Sequence, residues 1–103
     1  MKLPQARGVL RRMRQARLRR LRGIGPCLAG SLVRQPGHRS RYLTDKVCGK
    51  TRTLYIPLDR LDEVRQWNAN FQEARKLLQE LSALQRALLV AEIEARRRET
   101  RNR

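Results

Sequence analysis

The spacing of the apolar residues in the C-terminal half of the chain limits the fold more than any other feature. From residue 61 to residue 95 an apolar side chain recurs every three or four positions. These positions are Leu61, Val64, Trp67, Phe71, Ala74, Leu77, Leu81, Leu84, Leu88, Ala91 and Ala95. Such spacing places them on one side of an α-helix, and from Leu77 onward it matches a heptad seam. The sequence therefore predicts one long helix over residues 58–98, with Asp59 as its N-cap.

A helix of this length is too long to bury its apolar side in a small compact domain. The stretch from Arg60 to Arg98 would measure about 58 Å at 1.5 Å per residue, and an N-terminal helix of about 27 Å would cover only half of the seam. Packing within one chain is the alternative, but few other core elements are available, so we expect a homodimer formed through the seam. The seam residues are Leu77, Leu81, Leu84 and Leu88. Residues 99–103 are expected to form a disordered basic tail.

The N-terminal segment, residues 1–22, is predicted to be a basic amphipathic helix. At 100° per residue its apolar side chains share one arc. They are Ala6, Val9, Leu10, Met13, Ala16, Leu21 and Ile24. The opposite side is lined by Arg7, Arg11, Arg14 and Arg22. Residues 1–22 contain no acid, and the first acidic residue of the chain is Asp45. An acid-free basic block of this kind is typical of an arm that lies against phosphates or acidic lipid.

The middle of the chain predicts a Gly/Pro hinge followed by strands. Residues 23–30 contain glycines and a proline that end any helix, and residues 31–57 show the β-branched and aromatic enrichment of a small antiparallel β unit, either a hairpin or a three-stranded meander. With Cys48 and Gly49 as the central turn residues, each cross-strand pair is chemically matched. The pairs are Asp45 with Arg52, Thr44 with Thr53, Leu43 with Leu54 and Tyr42 with Tyr55. The chain is thus expected to be an α+β protein.

Charge and composition favour polyanions as partners. The chain has 25 basic and 9 acidic residues, a formal net charge of +16, and a field of this sign attracts nucleic acid. The longest apolar run, Ala87–Ala91, is far shorter than a membrane-spanning helix, so we expect no membrane partner. Two cysteines cannot form the disulfide framework of a small secreted protein, which favours the cytoplasm. An organelle transit peptide remains an alternative for the Arg-rich N-terminus.

The remaining motifs give little support to catalysis. Gly49-Lys50-Thr51 ends like a phosphate-binding loop, but Thr44 stands where the loop needs glycine and a strand follows where it needs a helix. Cys27, His38 and Cys48 are metal-ligand types without paired spacing, so no metal is expected. The single histidine has no partners placed for nucleophilic or acid-base catalysis. We therefore expect no enzymatic activity, cofactor or small-molecule substrate.

The order of several short motifs between Gly30 and about Leu89 resembles a known family. They are Gly30-Ser31-Leu32, His38 with Tyr42, Gly49-Lys50-Thr51, Tyr55-Ile56-Pro57, and Val64-Arg65 with Trp67. This pattern is similar to an uncharacterised bacterial and archaeal family of small basic proteins, a domain of unknown function often found among transposase-type sequences. The resemblance implies association with mobile elements. Many members have a cysteine-rich insert before the histidine that suggests metal binding; here the sequence RQPGH replaces it, and the metal role does not carry over.

These observations together predict a non-catalytic, sequence-tolerant nucleic-acid-binding protein, with DNA favoured over RNA. The expected phosphate contacts are Arg7, Arg11, Arg14 and Arg22 on the helix and Arg39, Arg41, Lys46, Lys50 and Arg52 on the hairpin. Tyr42 and Tyr55 are available for stacking on single-stranded bases. The alternative is an assembly subunit whose basic arm docks on an acidic partner protein.

Overall fold

Along the chain, the structure contains a helix, a three-stranded sheet and a second helix. The computed structural model describes residues 2–34, 37 and 41–102. Helix α1 spans Arg7–Arg22, and strands β1, β2 and β3 span Ser31–Arg34, Arg41–Val47 and Lys50–Ile56. A short 3-10 turn, Leu58–Arg60, leads into helix α2, Leu61–Arg101. This arrangement confirms the predicted α+β fold.

The chain divides into two compact units, and α2 contributes to both. The sheet unit is Ile24–Ala74, which contains the three strands and the first part of α2. The helical unit consists of the chain up to Gly23, with α1, and the rest of α2 from Arg75 onward. Each unit has its own cluster of buried apolar side chains.

The sheet is a simple antiparallel meander in the order β1-β2-β3. Asp45 pairs with Arg52 and Tyr42 with Tyr55, which confirms the predicted register. Cys48 and Gly49 have φ angles of 52° and 78°, the positive values that a two-residue turn between twisted strands requires. The Gly-Lys-Thr motif therefore forms a hairpin turn and the start of a strand.

The core of the sheet unit lies between one side of the sheet and the start of α2. Leu43 and Ile56 from the strands pack with Leu61 and Val64 from the helix. Leu28, Leu32 and Trp67 lie at the margin of this cluster. Since side chains alternate along a strand, these contacts define which strand positions face α2 and which face away from it.

The Gly/Pro segment predicted as a hinge is bound to α2. The side-chain amide of Asn68 donates hydrogen bonds to the carbonyl oxygens of Leu28 and Gly30, at 3.0 and 2.8 Å. Asn70 donates to the carbonyl of Pro26, at 2.9 Å, and the Leu28 amide donates to the carbonyl of Trp67. Glycine and proline do end α1 here, but the carbonyls of this irregular segment find donors on α2, which fix its path.

The core of the helical unit corrects the expected role of the leucine seam. Leu84 and Leu88 of α2 pack against Leu10 of α1, and all three are almost completely buried. Leu77 is also fully buried, and Leu81 is half-buried. Leu77, Leu84 and Leu88 therefore lie in the interior of a single chain and cannot form a dimer contact while it stays folded. The intramolecular core, the alternative considered above, is what the fold contains.

Both ends of α2 differ from the sequence prediction. Asp59 lies inside the 3-10 turn, whose N-cap is Pro57, so Asp59 is not the N-cap of a helix that starts there. At the other end the helix continues to Arg101, three residues beyond the predicted Arg98. The amide of Asn102 donates to the carbonyl of Arg98, so helical hydrogen bonding extends into the segment expected to be disordered.

Candidate nucleic-acid interface

Five arginines of α1 form an exposed cationic surface, here called the arginine face. Its members are Arg7, Arg11, Arg12, Arg19 and Arg22. At 100° per residue they fall within an arc of about 140° on the helix. Within the described residues none of the five forms an ion pair or a hydrogen bond through its side chain. The first turn of α1 contains no acidic residue. The arginine face is therefore an uncompensated positive surface.

The packing of α1 places this surface differently from the prediction. Arg14, which the sequence assigned to phosphate, is half-buried and donates a hydrogen bond from Nη1 to Oε1 of Gln85, at 2.9 Å. Arg17 also points inward, with its Nε 3.4 Å from Oε1 of Glu80. Leu18 is half-buried, whereas the predicted core residue Ala16 is exposed. The buried side of α1 is thus rotated from the predicted apolar arc.

The chemistry of arginine explains this rotation. Its long apolar stem can cover hydrophobic surface while its head group reaches a polar partner, so an arginine at the edge of a packing face need not be solvent-directed. Gln85 and Glu80 of α2 are the partners that draw Arg14 and Arg17 inward. Arg12 and Arg19, which the sequence reasoning missed, take the exposed positions. The helical period of the exposed arginines could have identified them once the true packing side was known.

The hairpin cations predicted to bind phosphate do not share one surface. Lys46 is exposed on the side of the sheet that faces away from α2. Lys50 and Arg52 lie on the opposite side, the one that faces α2. Arg41 is half-buried at the start of β2. Arg39 and His38 lie outside the described residues. Of the predicted phosphate contacts, the structure therefore brings together Arg7, Arg11 and Arg22 of α1, but not the described cations of the hairpin.

Arg52 is bound to a carboxylate. Its Nε and Nη2 donate hydrogen bonds to the two carboxylate oxygens of Asp45, at 3.1 and 2.6 Å. These bonds stabilise the ionised carboxylate and hold the pKa of Asp45 below its usual value, although partial desolvation acts in the opposite direction. Asp45 and Arg52 also line a shallow hollow of about 330 Å³ beside Leu28, Leu43 and Leu54. Within that hollow the two charged groups satisfy each other.

The side of the sheet that faces away from α2 is a polar and aromatic surface, here called the open face. Its members alternate with the core positions and are Ser31, Val33, Tyr42, Thr44, Lys46, Thr51, Thr53 and Tyr55. The rings of Tyr42 and Tyr55 meet edge to face, with centroids 5.7 Å apart and planes inclined at 63°. Tyr55 exposes 51% of its surface and Val33 45%.

Metal, membrane and cysteine chemistry add no further candidate site. Within residues 2–34, 37 and 41–102, no three side chains of His, Cys, Asp or Glu are grouped as metal ligands. Cys27 and Cys48 are exposed free thiols. In the described part of the chain, no helix combines the length and the apolar character needed to cross a bilayer.

No known protein family, no curated protein and no solved structure matches this chain. The similarity to the transposase-associated family of small basic proteins therefore stays a prediction from short motifs. The physical features of the arginine face and the open face carry the functional argument.

Proposed function

We propose that this protein is a non-catalytic nucleic-acid-binding protein whose arginine face contacts phosphates without reading base sequence. The observation that carries the proposal is the group of five exposed arginines on α1, which have no acidic neighbour in the first turn and no partner among the described side chains. DNA is the favoured ligand, and the family resemblance points to a mobile element as its setting.

The length and charge of the arginine face suit a polyanion. From Arg7 to Arg22 the helix rises about 22 Å at 1.5 Å per residue. One strand of duplex DNA presents about six phosphates over that length, at 3.4 Å per phosphate. Arginine can hold two oxygens of one phosphate with two parallel hydrogen bonds, which favours it for this role over a point charge such as lysine. These contacts orient a nucleic acid but carry no sequence information.

Salt titration of two matched variants tests the proposal. In the first variant all five arginines of the arginine face are changed to glutamine. In the second, five exposed cations of α2 are changed to glutamine: Arg75, Lys76, Arg86, Arg96 and Arg97. Each variant lowers the formal net charge of +16 by five. A difference in DNA affinity or salt dependence between the two variants therefore reports the position of the charges and not their sum.

We expect the first variant to lose most of its affinity for duplex DNA at moderate salt. Each phosphate contact contributes about −0.9 to the slope of log affinity against log salt concentration, so the slope should become shallower by about 4 to 5. The α2 variant should keep most of its affinity and slope. An unchanged slope in the first variant, or an equal loss in both, would show that the arginine face is not the binding surface.

A second candidate function, assembly with a partner protein, is favoured by exposed apolar side chains on α2. Leu78, Leu89, Val90 and Ile93 expose between 42% and 57% of their surfaces. Leu78, Leu89 and Ile93 fall within an arc of about 60° at 100° per residue, separate from the buried Leu84 and Leu88. If the predicted homodimer forms, this stripe is the surface available for it.

Light scattering over a range of protein concentrations tests the homodimer form of this second candidate. A dimer that changes to a monomer when Leu89 and Ile93 are both replaced by glutamine would support assembly through the stripe. A wild-type protein that stays monomeric at high concentration would exclude the homodimer.

A further inference from the structure

We propose that the open face of the sheet is a stacking platform for unpaired nucleobases, so that the protein holds single-stranded segments through the sheet as well as phosphates through α1. This inference rests on the proposed function, since it adds base contacts to a phosphate-binding protein. It assigns the tyrosine pair and Lys46 a role that the arginine face does not supply.

The tyrosine pair leaves the ring of Tyr55 accessible to a ligand, while Tyr42 beside it is half-buried. Tyr42 and Tyr55 are directly opposite each other on neighbouring strands, and their edge-to-face contact fixes the two rings relative to each other. Tyr55 is about half exposed although it lies on a strand beside a hydrophobic core. An exposed ring held by its neighbour loses little conformational freedom when a base stacks on it.

The neighbours of the two rings also suit a nucleic acid. Beside the aromatic pair, the open face carries the hydroxyl groups of Thr44, Thr51 and Thr53, and Lys46 is its cation. Its members include no carboxylate, because the acid of β2, Asp45, faces the other side and is bound to Arg52. Hydroxyls and a lysine can bind phosphate or sugar oxygens while the rings accept bases.

The exposed aromatic ring on this surface favours single strands over duplexes. Bases in a duplex are stacked on one another, and their faces are not accessible to a side chain, whereas unpaired bases can stack on aromatic rings. Stacking is tolerant of sequence because every base has a π-face. Contact of the same surface with another protein is the alternative, and the oligomeric state measured below distinguishes it.

The experiment compares two substitutions at neighbouring, equally exposed positions of β3. Tyr55→Thr removes the exposed ring of the open face. Leu54→Thr is the matched control, because Leu54 is 58% exposed but points to the opposite side of the sheet. Threonine is favourable in strands, so both variants should fold. Tyr55→Phe is a second control that keeps the ring and removes only the hydroxyl.

Three labelled probes are titrated at one fixed salt concentration and followed by fluorescence anisotropy. They are an oligothymidine of about 15 nucleotides, near the upper end of the site sizes of single-strand-binding folds, an abasic phosphodiester of the same length, and a DNA duplex. The abasic probe has the phosphates of the first probe without its bases. The ratio of the two affinities therefore measures the contribution of the bases alone.

We expect the wild-type protein to bind oligothymidine more tightly than the abasic probe. Tyr55→Thr should lower affinity for oligothymidine about fivefold or more, the lower end of the usual cost of removing a stacking ring. Its affinity for the abasic probe and the duplex should change less than twofold. Leu54→Thr and Tyr55→Phe should behave like the wild type.

Three outcomes overturn the proposal in different ways. If the wild type binds all three probes but does not prefer bases to abasic phosphates, or if Tyr55→Thr leaves that preference intact, the stacking platform is wrong while phosphate binding stands. If the wild type binds none of the probes, the proposed function itself fails. A Tyr55→Thr variant that changes the oligomeric state without changing probe affinity would identify the open face as a protein contact instead.

Discussion

The guanidinium of Arg52 donates two hydrogen bonds to the carboxylate of Asp45 on the neighbouring strand. Because the pair lowers the pKa of Asp45, the carboxylate contributes stability above the pKa that it has in the unfolded chain. That contribution is lost as the pH falls through the lowered pKa of the folded state. The pair therefore stabilises the hairpin at neutral pH and not in strong acid.

We expect Asp45→Asn to lower the Tm at pH 7 and to have a smaller effect in strong acid, where the wild-type carboxylate is itself protonated. Thermal unfolding followed by circular dichroism, with both proteins measured from pH 7 down to below pH ~3, checks this. Taking the difference in Tm between the two proteins at each pH cancels the contribution of the other carboxylates. A difference in Tm that stays constant across this range would show that the ion pair does not stabilise the hairpin.

Replacing Cys48 by asparagine should stabilise the hairpin turn. Its φ of 52° lies in the left-handed region, which asparagine tolerates better than cysteine, and Asn-Gly is the preferred pair for a two-residue turn of this type. We expect Cys48→Asn to raise the free energy of unfolding by about 0.5 kcal/mol, a typical gain from matching a residue to its backbone conformation. Urea denaturation measures the change. Cys48→Val should lower stability instead, because a β-branched residue is strained at positive φ.

Gly30 is a position where a methyl group cannot be accepted. Its φ is +121°, and a Cβ placed there would lie 2.8 Å from the carbonyl oxygen of Thr44. We expect Gly30→Ala to destabilise the sheet unit by about 1–3 kcal/mol, since strain and the close contact add together. Gly8→Ala is the matched control, because no atom lies within 4 Å of the added methyl and alanine favours a helix. If both substitutions changed the Tm equally, the close approach of Gly30 to β2 would not be what restricts this position to glycine.

Leu84 and Leu89 are the same residue type on the same helix but differ in burial, at 0% and 53% exposure. Leu84→Ala removes contacts with Leu10 and leaves a cavity, which should cost about 2–5 kcal/mol of stability. Leu89→Ala should cost only about 0.5 kcal/mol in the monomer. Chemical denaturation measures both values. A large cost for Leu89→Ala that grows with protein concentration would point instead to a dimer formed through the exposed stripe.

The sequence was sufficient to predict the strands and their register because each cross-strand pair is a local chemical match. Asp45 faces Arg52 and Tyr42 faces Tyr55, as the matched pairs require. The type and approximate extent of both helices also followed from apolar spacing and from the glycines and proline between them. These features depend on residues within a few positions of one another, where propensity and turn chemistry agree.

The features that could not be predicted depend on contacts between distant parts of the chain. Arg14 is drawn inward by Gln85, 71 positions away, and the carbonyls of Pro26, Leu28 and Gly30 are bound by Asn68 and Asn70. Leucine spacing also cannot tell an intramolecular partner from a second copy, because both satisfy the same seam. The buried contact of Leu10 with Leu84 and Leu88 shows that these two seam residues have an intramolecular partner.

Strand β3 lies at the edge of the sheet, and its residues from Lys50 to Tyr55 are all exposed. An unpaired edge is a template on which the strand of another molecule can add, and charged side chains are one device that prevents such joining. Lys50 supplies part of that charge here, because the charge of Arg52 is balanced by Asp45. A polyanion that neutralised it would weaken this protection. Mixtures near charge balance are therefore the conditions under which neighbouring molecules should aggregate edge to edge, and an excess of either component should keep them dispersed.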